Sequence, residues 1–285
     1  MPTADLPEPV RSLADLASIE AAARRVETPC GDASVVWHLW GEGDPVVLLH
    51  GGSGSWTHWV RNVGALVRAG RTVCVPDLPG CGDSARPPVG EDADALPEWI
   101  EAGTDALLGD AAFDLVGFSF GSMVACFMAQ RRPARVRRLV LSGAPALSTE
   151  PINPLRLRPW SHLTDPDARM RVHRYNIAQL MLARPASIDD LALAIHAANV
   201  VRDRLRRRRI SKTDILMRTL PRVTCPVFGI WGAEDVLYQG RQHLIEPGLA
   251  LAPGFGSLTM IAGAGHWVQY EASDAFNRVL LDLLR

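Results

Sequence analysis

What most constrains this chain is an alternation. Over residues 1–145, short runs rich in β-branched and apolar residues are separated by segments long enough to be helices. The strand candidates are 34–40, 45–50, 72–77, 113–119 and 137–143, and the pattern resumes with 225–232 and 257–263 before an amphipathic segment at 272–284. Several are continuous apolar runs, the pattern of strands covered on both faces. Alternation of this kind builds a parallel sheet with helices on both sides, the α/β class.

The alternation stops between Ala144 and Val223, where Pro145, Pro151, Pro154 and Pro159 introduce a stretch with helical periodicity. Ile188, Leu191, Ala192, Ile195 and Asn199 recur on one face of a helix. The chain therefore divides into an α/β core, residues 1–143 and 224–285, and an inserted helical cap, residues 144–223. The basic stretch Arg202 to Arg209 reads as one helix with a solvated face, since Val201, Leu205 and Ile210 have helical spacing.

Composition narrows the partners. With 47% hydrophobic and 21% charged residues the chain can bury a large core, and its formal charge of −1 gives no field to draw it onto nucleic acid or an anionic membrane. A small-molecule substrate is the expected partner, and the oligomeric state is left open. The five cysteines are scattered, with no C-x-x-C and no Cys/His pair at metal-ligand spacing, so neither a metal nor another cofactor is expected. The N-terminus has acidic residues and prolines where a signal peptide would be basic and apolar, and no run of about 18 apolar residues occurs. A reduced, cytoplasmic setting is the expectation.

Gly117-Phe118-Ser119-Phe120-Gly121 ends an apolar strand and opens a helix-forming stretch, the context a G-x-S-x-G nucleophile elbow requires. A serine hydroxyl is a weak nucleophile until a base takes its proton and an acid orients that base. His266 follows the last strand candidate, and Asp235 follows the one before it, with Glu234 competing for the acid's role. All three positions lie just past strand C-termini, where a parallel sheet places ligands. An oxyanion needs two N–H donors. Phe120 supplies one at its helix start, and Gly52, in the glycine-rich turn His50-Gly51-Gly52-Ser53-Gly54, is the choice for the other. A phosphate cradle is the rival reading of that turn, but it lacks both the P-loop Gly-Lys-Ser/Thr and G-x-G-x-x-G spacing. His38, His58, His162, His173 and His243 show no partner pattern and read as structural or exposed.

These motifs, together with Asp77 to Ser84, Gly232 to Asp235 and Gly265-His266-Trp267, resemble the α/β-hydrolase superfamily in order over residues 30–285. The resemblance implies a mostly parallel eight-stranded sheet, a helical cap after the sixth strand, a Ser119–Asp235–His266 triad, and a structural loop at Asp77 to Ser84. Residues Gly265 to Glu271 with Phe276-Asn277 are similar to the meta-cleavage-product hydrolases, which split C–C bonds. Two positions depart from that group: Phe118 stands where it has Asn, and His196 aligns near its cap arginine. By the same resemblance Trp267, His196 and Phe118 are the substrate-binding candidates. A cofactor-free serine hydrolase acting on a small ester or lactone is the preferred reading, with C–C hydrolysis and a non-catalytic ligand receptor as alternatives.

Overall fold

Eight segments are strands in the computed structural model, which describes residues 6–150, 153–205 and 207–285. Pro151, and Arg206 within the basic stretch, lie outside the described residues, as does the very start of the N-terminal segment. The strands are β1 (Arg24–Cys30), β2 (Ala33–Trp40), β3 (Asp44–Leu49), β4 (Arg71–Pro76), β5 (Phe113–Phe118), β6 (Val136–Ser142), β7 (Val227–Gly232) and β8 (Phe255–Ile261). Seven of them are the runs read from the sequence. The eighth, β1, was not among those runs because it is a polar edge strand in which only Thr28 and Cys30 are buried.

They form one sheet in the order β1-β2-β4-β3-β5-β6-β7-β8. The β1–β2 and β2–β4 pairs are antiparallel, and every other pair is parallel. Side chains alternate across the sheet, so β3 feeds two cores: Val46 and Leu48 join one, Val47 and Leu49 the other.

The helices are α1 (Leu13–Ala21), α2 (Val63–Arg68), α3 (Pro97–Leu108), α4 (Phe120–Arg131), α5 (Pro166–Leu180), α6 (Asp190–Val201), α7 (Ile215–Thr219), α8 (Ile245–Leu249), α9 (Val268–Glu271) and α10 (Ser273–Leu283). Leu66 of α2 and Phe276 and Leu280 of α10 cover one face. Ile100 of α3, Val124 and Met128 of α4, and Leu249 of α8 cover the other. Among the described residues no helix is long and apolar enough to cross a membrane. All five cysteines are buried and free.

Helices α5, α6 and α7 occupy the excursion between β6 and β7. The face read from the sequence is buried at Ile188, Leu191, Ala192, Ile195 and Asn199, although Ile188 precedes the helix, which Asp189 caps through the Ala192 N–H. The basic stretch corrects the expectation of a single solvated helix. Helix α6 stops at Val201, Leu205 is buried, and Arg204 N–H donates to Gly80 O at 2.8 Å. Acceptors outside the stretch replace helical carbonyls, Asp92 taking the Arg209 and Ile210 N–H groups, while the Arg202 side chain pairs with Asp83 at 2.8 Å.

Candidate active site

Strand β5 delivers Ser119 to the carboxyl edge of the sheet, and the turn into α4 holds it at φ 51°, a left-handed conformation that non-glycine residues avoid. The elbow closes because neighbouring residues lack side chains. A Cβ on Gly121 would lie 2.5 Å from both Leu49 O and His50 O, and one on Gly117 2.6 Å from Ser122 Cα. The Ser119 N–H donates to Ser142 O at 2.8 Å, tying the turn to β6.

Three loops at that edge bring the expected residues together. His266 Nε2 lies 2.9 Å from Ser119 Oγ, and His266 Nδ1 lies 2.9 Å from Asp235 Oδ2. Asp235 and His266 are both buried, while Ser119 is half-buried. Asp235 Oδ1 accepts the Leu237 N–H at 3.0 Å, which fixes the carboxylate's orientation. Glu234, the rival acid, is exposed. With Nδ1–H donated to Asp235, the imidazole presents a lone pair on Nε2 to the serine hydroxyl.

The glycine-rich turn is braced from beneath by two histidines. His50 Nε2 accepts the Leu78 N–H at 2.8 Å, which leaves Nδ1–H to donate to Gly51 O at 2.7 Å. Fixing that carbonyl fixes the trans peptide after it, and so the direction of the Gly52 N–H. His58 Nδ1 accepts the Gly51 N–H at 3.2 Å. Burial pulls His50 down to about 4 and His58 well below the ordinary histidine value, so both act as neutral hydrogen-bonding groups. Asp77 fixes the flanking loop by accepting the Trp56 and Asp83 N–H groups, each at 2.8 Å. Phe120 opens α4, where first-turn N–H groups have no partner within the helix.

The three substrate-binding candidates fall differently. Phe118 is 1% exposed, packed against His58, Trp59 and His266. Trp267, also 1% exposed, stacks on Tyr270 at 4.1 Å and donates its indole N–H to His58 O at 2.9 Å. Both rings are packed among the residues around the triad. His196 is half-buried, edge-on to His173 at 5.5 Å, and burial draws it down to about 4. Its Nε2 has no hydrogen-bond partner among the described residues. Of the five histidines read as structural or exposed, His38, His58 and His173 are buried and His162 and His243 are exposed.

Four residues had drawn no assigned role. His50 appeared only as the start of the glycine-rich turn and Glu271 only inside a motif. Asp203 and Arg208 were absorbed into the basic stretch. Arg208 pairs with Asp203 and sets its Nη1 3.1 Å from where a Gly52 Cβ would be, with its Cζ 5.1 Å from the Phe120 ring centre.

The family pattern described as the alpha/beta hydrolase fold matches residues 44–176. A 2-hydroxy-6-oxononadienedioate/2-hydroxy-6-oxononatrienedioate hydrolase of Cupriavidus pinatubonensis is 32% identical over 259 residues, 85% of this chain and 86% of that protein. A 2-hydroxy-6-oxo-6-phenylhexa-2,4-dienoate hydrolase of Burkholderia cepacia is 28% identical over 262 residues, 86% of this chain and 88% of that protein. Among solved structures, carboxylesterase CesB from Bacillus subtilis aligns with a TM-score of 0.76 at 19% identity, covering 94% of each chain. The meta-cleavage product hydrolase CumD from Pseudomonas fluorescens aligns at 0.71 and 21%, covering 91% of this chain and 97% of that one. At these identities the structural likeness is one of fold.

Proposed function

The chain belongs to the α/β-hydrolase superfamily, a hydrolase fold, and from that premise we propose that it is a serine hydrolase cleaving small, uncharged carboxylic esters or lactones. The observation that carries the reading is the relay Ser119–His266–Asp235, with 2.9 Å at each step. Ser119 Oγ attacks the acyl carbonyl as His266 Nε2 takes its proton. The N–H groups of Gly52 and Phe120 hold the oxyanion of the tetrahedral intermediate. His266 then protonates the departing alkoxide, and the acyl group stays on Ser119. Water, deprotonated by the same imidazole, releases the acid and restores the serine. Asp235 holds the imidazole in the required tautomer and stabilises its charged form. Residues 144–223 serve as a cap over a core formed by 1–143 and 224–285. Asn199 of α6 supports that arrangement, its amide accepting from Ser55 Oγ at 2.8 Å and donating to Thr57 Oγ1 at 3.0 Å.

Preference for an uncharged acyl group rests on charge balance. Enclosing a substrate carboxylate requires a fixed cation. Arg208, beside the oxyanion turn, is matched by Asp203, and His196 is held neutral by burial. A second reading, C–C bond hydrolysis, is favoured by the activities for which the similar curated proteins are named. The experiment compares kcat/KM for short p-nitrophenyl esters with that for a phenyl-substituted 2-hydroxy-6-oxo-dienoate at one pH. Esters should win. A dienoate preference of about 100-fold, near 2.7 kcal/mol of transition-state stabilisation, would replace the ester reading with the C–C one.

A further inference from the structure

We propose that Asp203 and Arg208, carried on the segment after α6, are positioning residues that clasp the oxyanion turn, so that the hole is fully formed only while this segment is seated. The proposal rests on the reading of Gly52 as an oxyanion donor. Its starting point is Ser53, a non-glycine residue at φ 49° immediately after Gly52. A left-handed serine persists only where its surroundings over-determine it. Beneath the turn, His50 and His58 bond Gly51 and leave Ser53 unheld.

What holds Ser53 comes from far along the chain. Its hydroxyl donates to Asp203 Oδ2 at 2.5 Å across 150 residues of sequence, and Arg208 Nη1 approaches the same hydroxyl at 3.3 Å. Arg208 also pairs with the other carboxylate oxygen of Asp203. Both side chains are largely enclosed, at 12% exposure for Asp203 and 20% for Arg208, so solvent competes weakly for these bonds. The Arg208 guanidinium lies over Gly52 and over the Phe120 ring, the two residues whose N–H groups form the hole.

The segment is itself fastened to the neighbouring loop. Arg204 N–H bonds to Gly80 O, its side chain reaches Gly82 O and Ser84 O, and Arg202 pairs with Asp83. Lifting the segment removes the clasp; Ser53 can then relax to negative φ, which turns the Gly52–Ser53 peptide and leaves the preceding peptide, which carries the Gly52 N–H, anchored only through Gly51. Oxyanion donors must be set before charge develops, so the loss falls on the transition state more than on substrate binding.

The test measures kcat and KM on p-nitrophenyl acetate, with inhibition by a boronic acid that mimics the tetrahedral adduct. Asp203→Asn and Ser53→Ala should each lower kcat by roughly 10- to 100-fold, weaken the boronic acid in proportion, and leave KM within about twofold. Ser53→Gly also removes the hydroxyl, but glycine takes a positive φ without steric cost, so this variant should keep about tenfold more kcat than Ser53→Ala. The Asp203→Asn/Ser53→Ala double variant should be no worse than the poorer single one, because both break one contact. Equal losses in Ser53→Gly and Ser53→Ala, an unchanged kcat in Asp203→Asn, or an effect confined to KM would overturn the clasp. Fluorophosphonate labelling of the unmodified protein separates the two levels. No adduct on Ser119 removes the serine-hydrolase reading itself, whereas a Ser119 adduct with an unaffected Asp203→Asn variant removes the clasp alone.

Discussion

Glu271 accepts the Gly265 N–H at 2.7 Å, so a buried carboxylate on α9 holds the residue immediately before His266. The same carboxylate takes the Ala183 N–H at 2.9 Å and the Arg184 N–H at 2.8 Å, joining the histidine loop to the end of α5. Three backbone donors satisfy a charge that would otherwise be costly to bury.

Glu271→Gln keeps the shape but turns one acceptor oxygen into an NH2 group facing backbone N–H donors. A buried donor left unpaired costs about 1–3 kcal/mol, and a displaced histidine loop should lower kcat by about tenfold. Chemical denaturation and steady-state kinetics read both effects. A variant with wild-type stability would show that Glu271 merely fills space.

Ser119→Ala should leave the fold intact, since among the described residues the serine hydroxyl hydrogen-bonds only to His266. The rate should fall by roughly 10³-fold or more, to what binding and the oxyanion donors provide without a nucleophile. Circular dichroism checks the fold and ester turnover the rate. Turnover within tenfold of the unmodified protein would remove Ser119 from the nucleophile's role.

The sequence made some of this legible and hid the rest for physical reasons. Strands β2 to β7 show themselves because burial on both faces leaves apolar runs; of the two edge strands, β8 keeps Leu258, Met260 and Ile261 in its sequence, whereas β1 is polar. Ser119, Asp235 and His266 each stand just past a strand, where chain order and local motif suffice to pick them out. Glu271, Asp203 and Arg208 act on residues that folding alone brings near, and no local pattern marks a bond such as Ser53–Asp203. The helical spacing of Val201, Leu205 and Ile210 pointed to a helix, but Asp92 and Gly80, distant in sequence, drew the backbone bonds away.

Asp235→Asn and Glu234→Gln should differ sharply although the residues are adjacent. Asp235 is buried against His266 Nδ1, and an amide there can hold the imidazole with its proton on the wrong nitrogen. Glu234 faces solvent, so its amide changes little. The expected gap in kcat is on the order of 10²-fold or more. A larger loss in Glu234→Gln, measured at the same pH, would make Glu234 the orienting acid.

Stability should fall as the pH drops from 7 to 5, and the buried histidines set the sign. Burial holds His38, His50 and His196 at about 4 in the folded protein, against an ordinary value of 6.5 in the unfolded chain. Between those values the unfolded chain binds more protons than the folded one, so the histidine contribution is complete above pH 6.5 and is lost on the way down to 4. His58 acts in the same direction. Asp77 opposes them: burial pushes it up to about 6, so the folded protein binds the extra proton between 3.8 and 6 and gains stability as pH falls. Each fully engaged group contributes about 1.4 kcal/mol per pH unit, and the histidines outnumber the aspartate. Urea unfolding at pH 7 and pH 5 measures the balance, and His196→Gln should shrink the difference by removing one of the titrating rings. A midpoint that stays level or rises at pH 5 would mean that these rings are not held neutral by the fold.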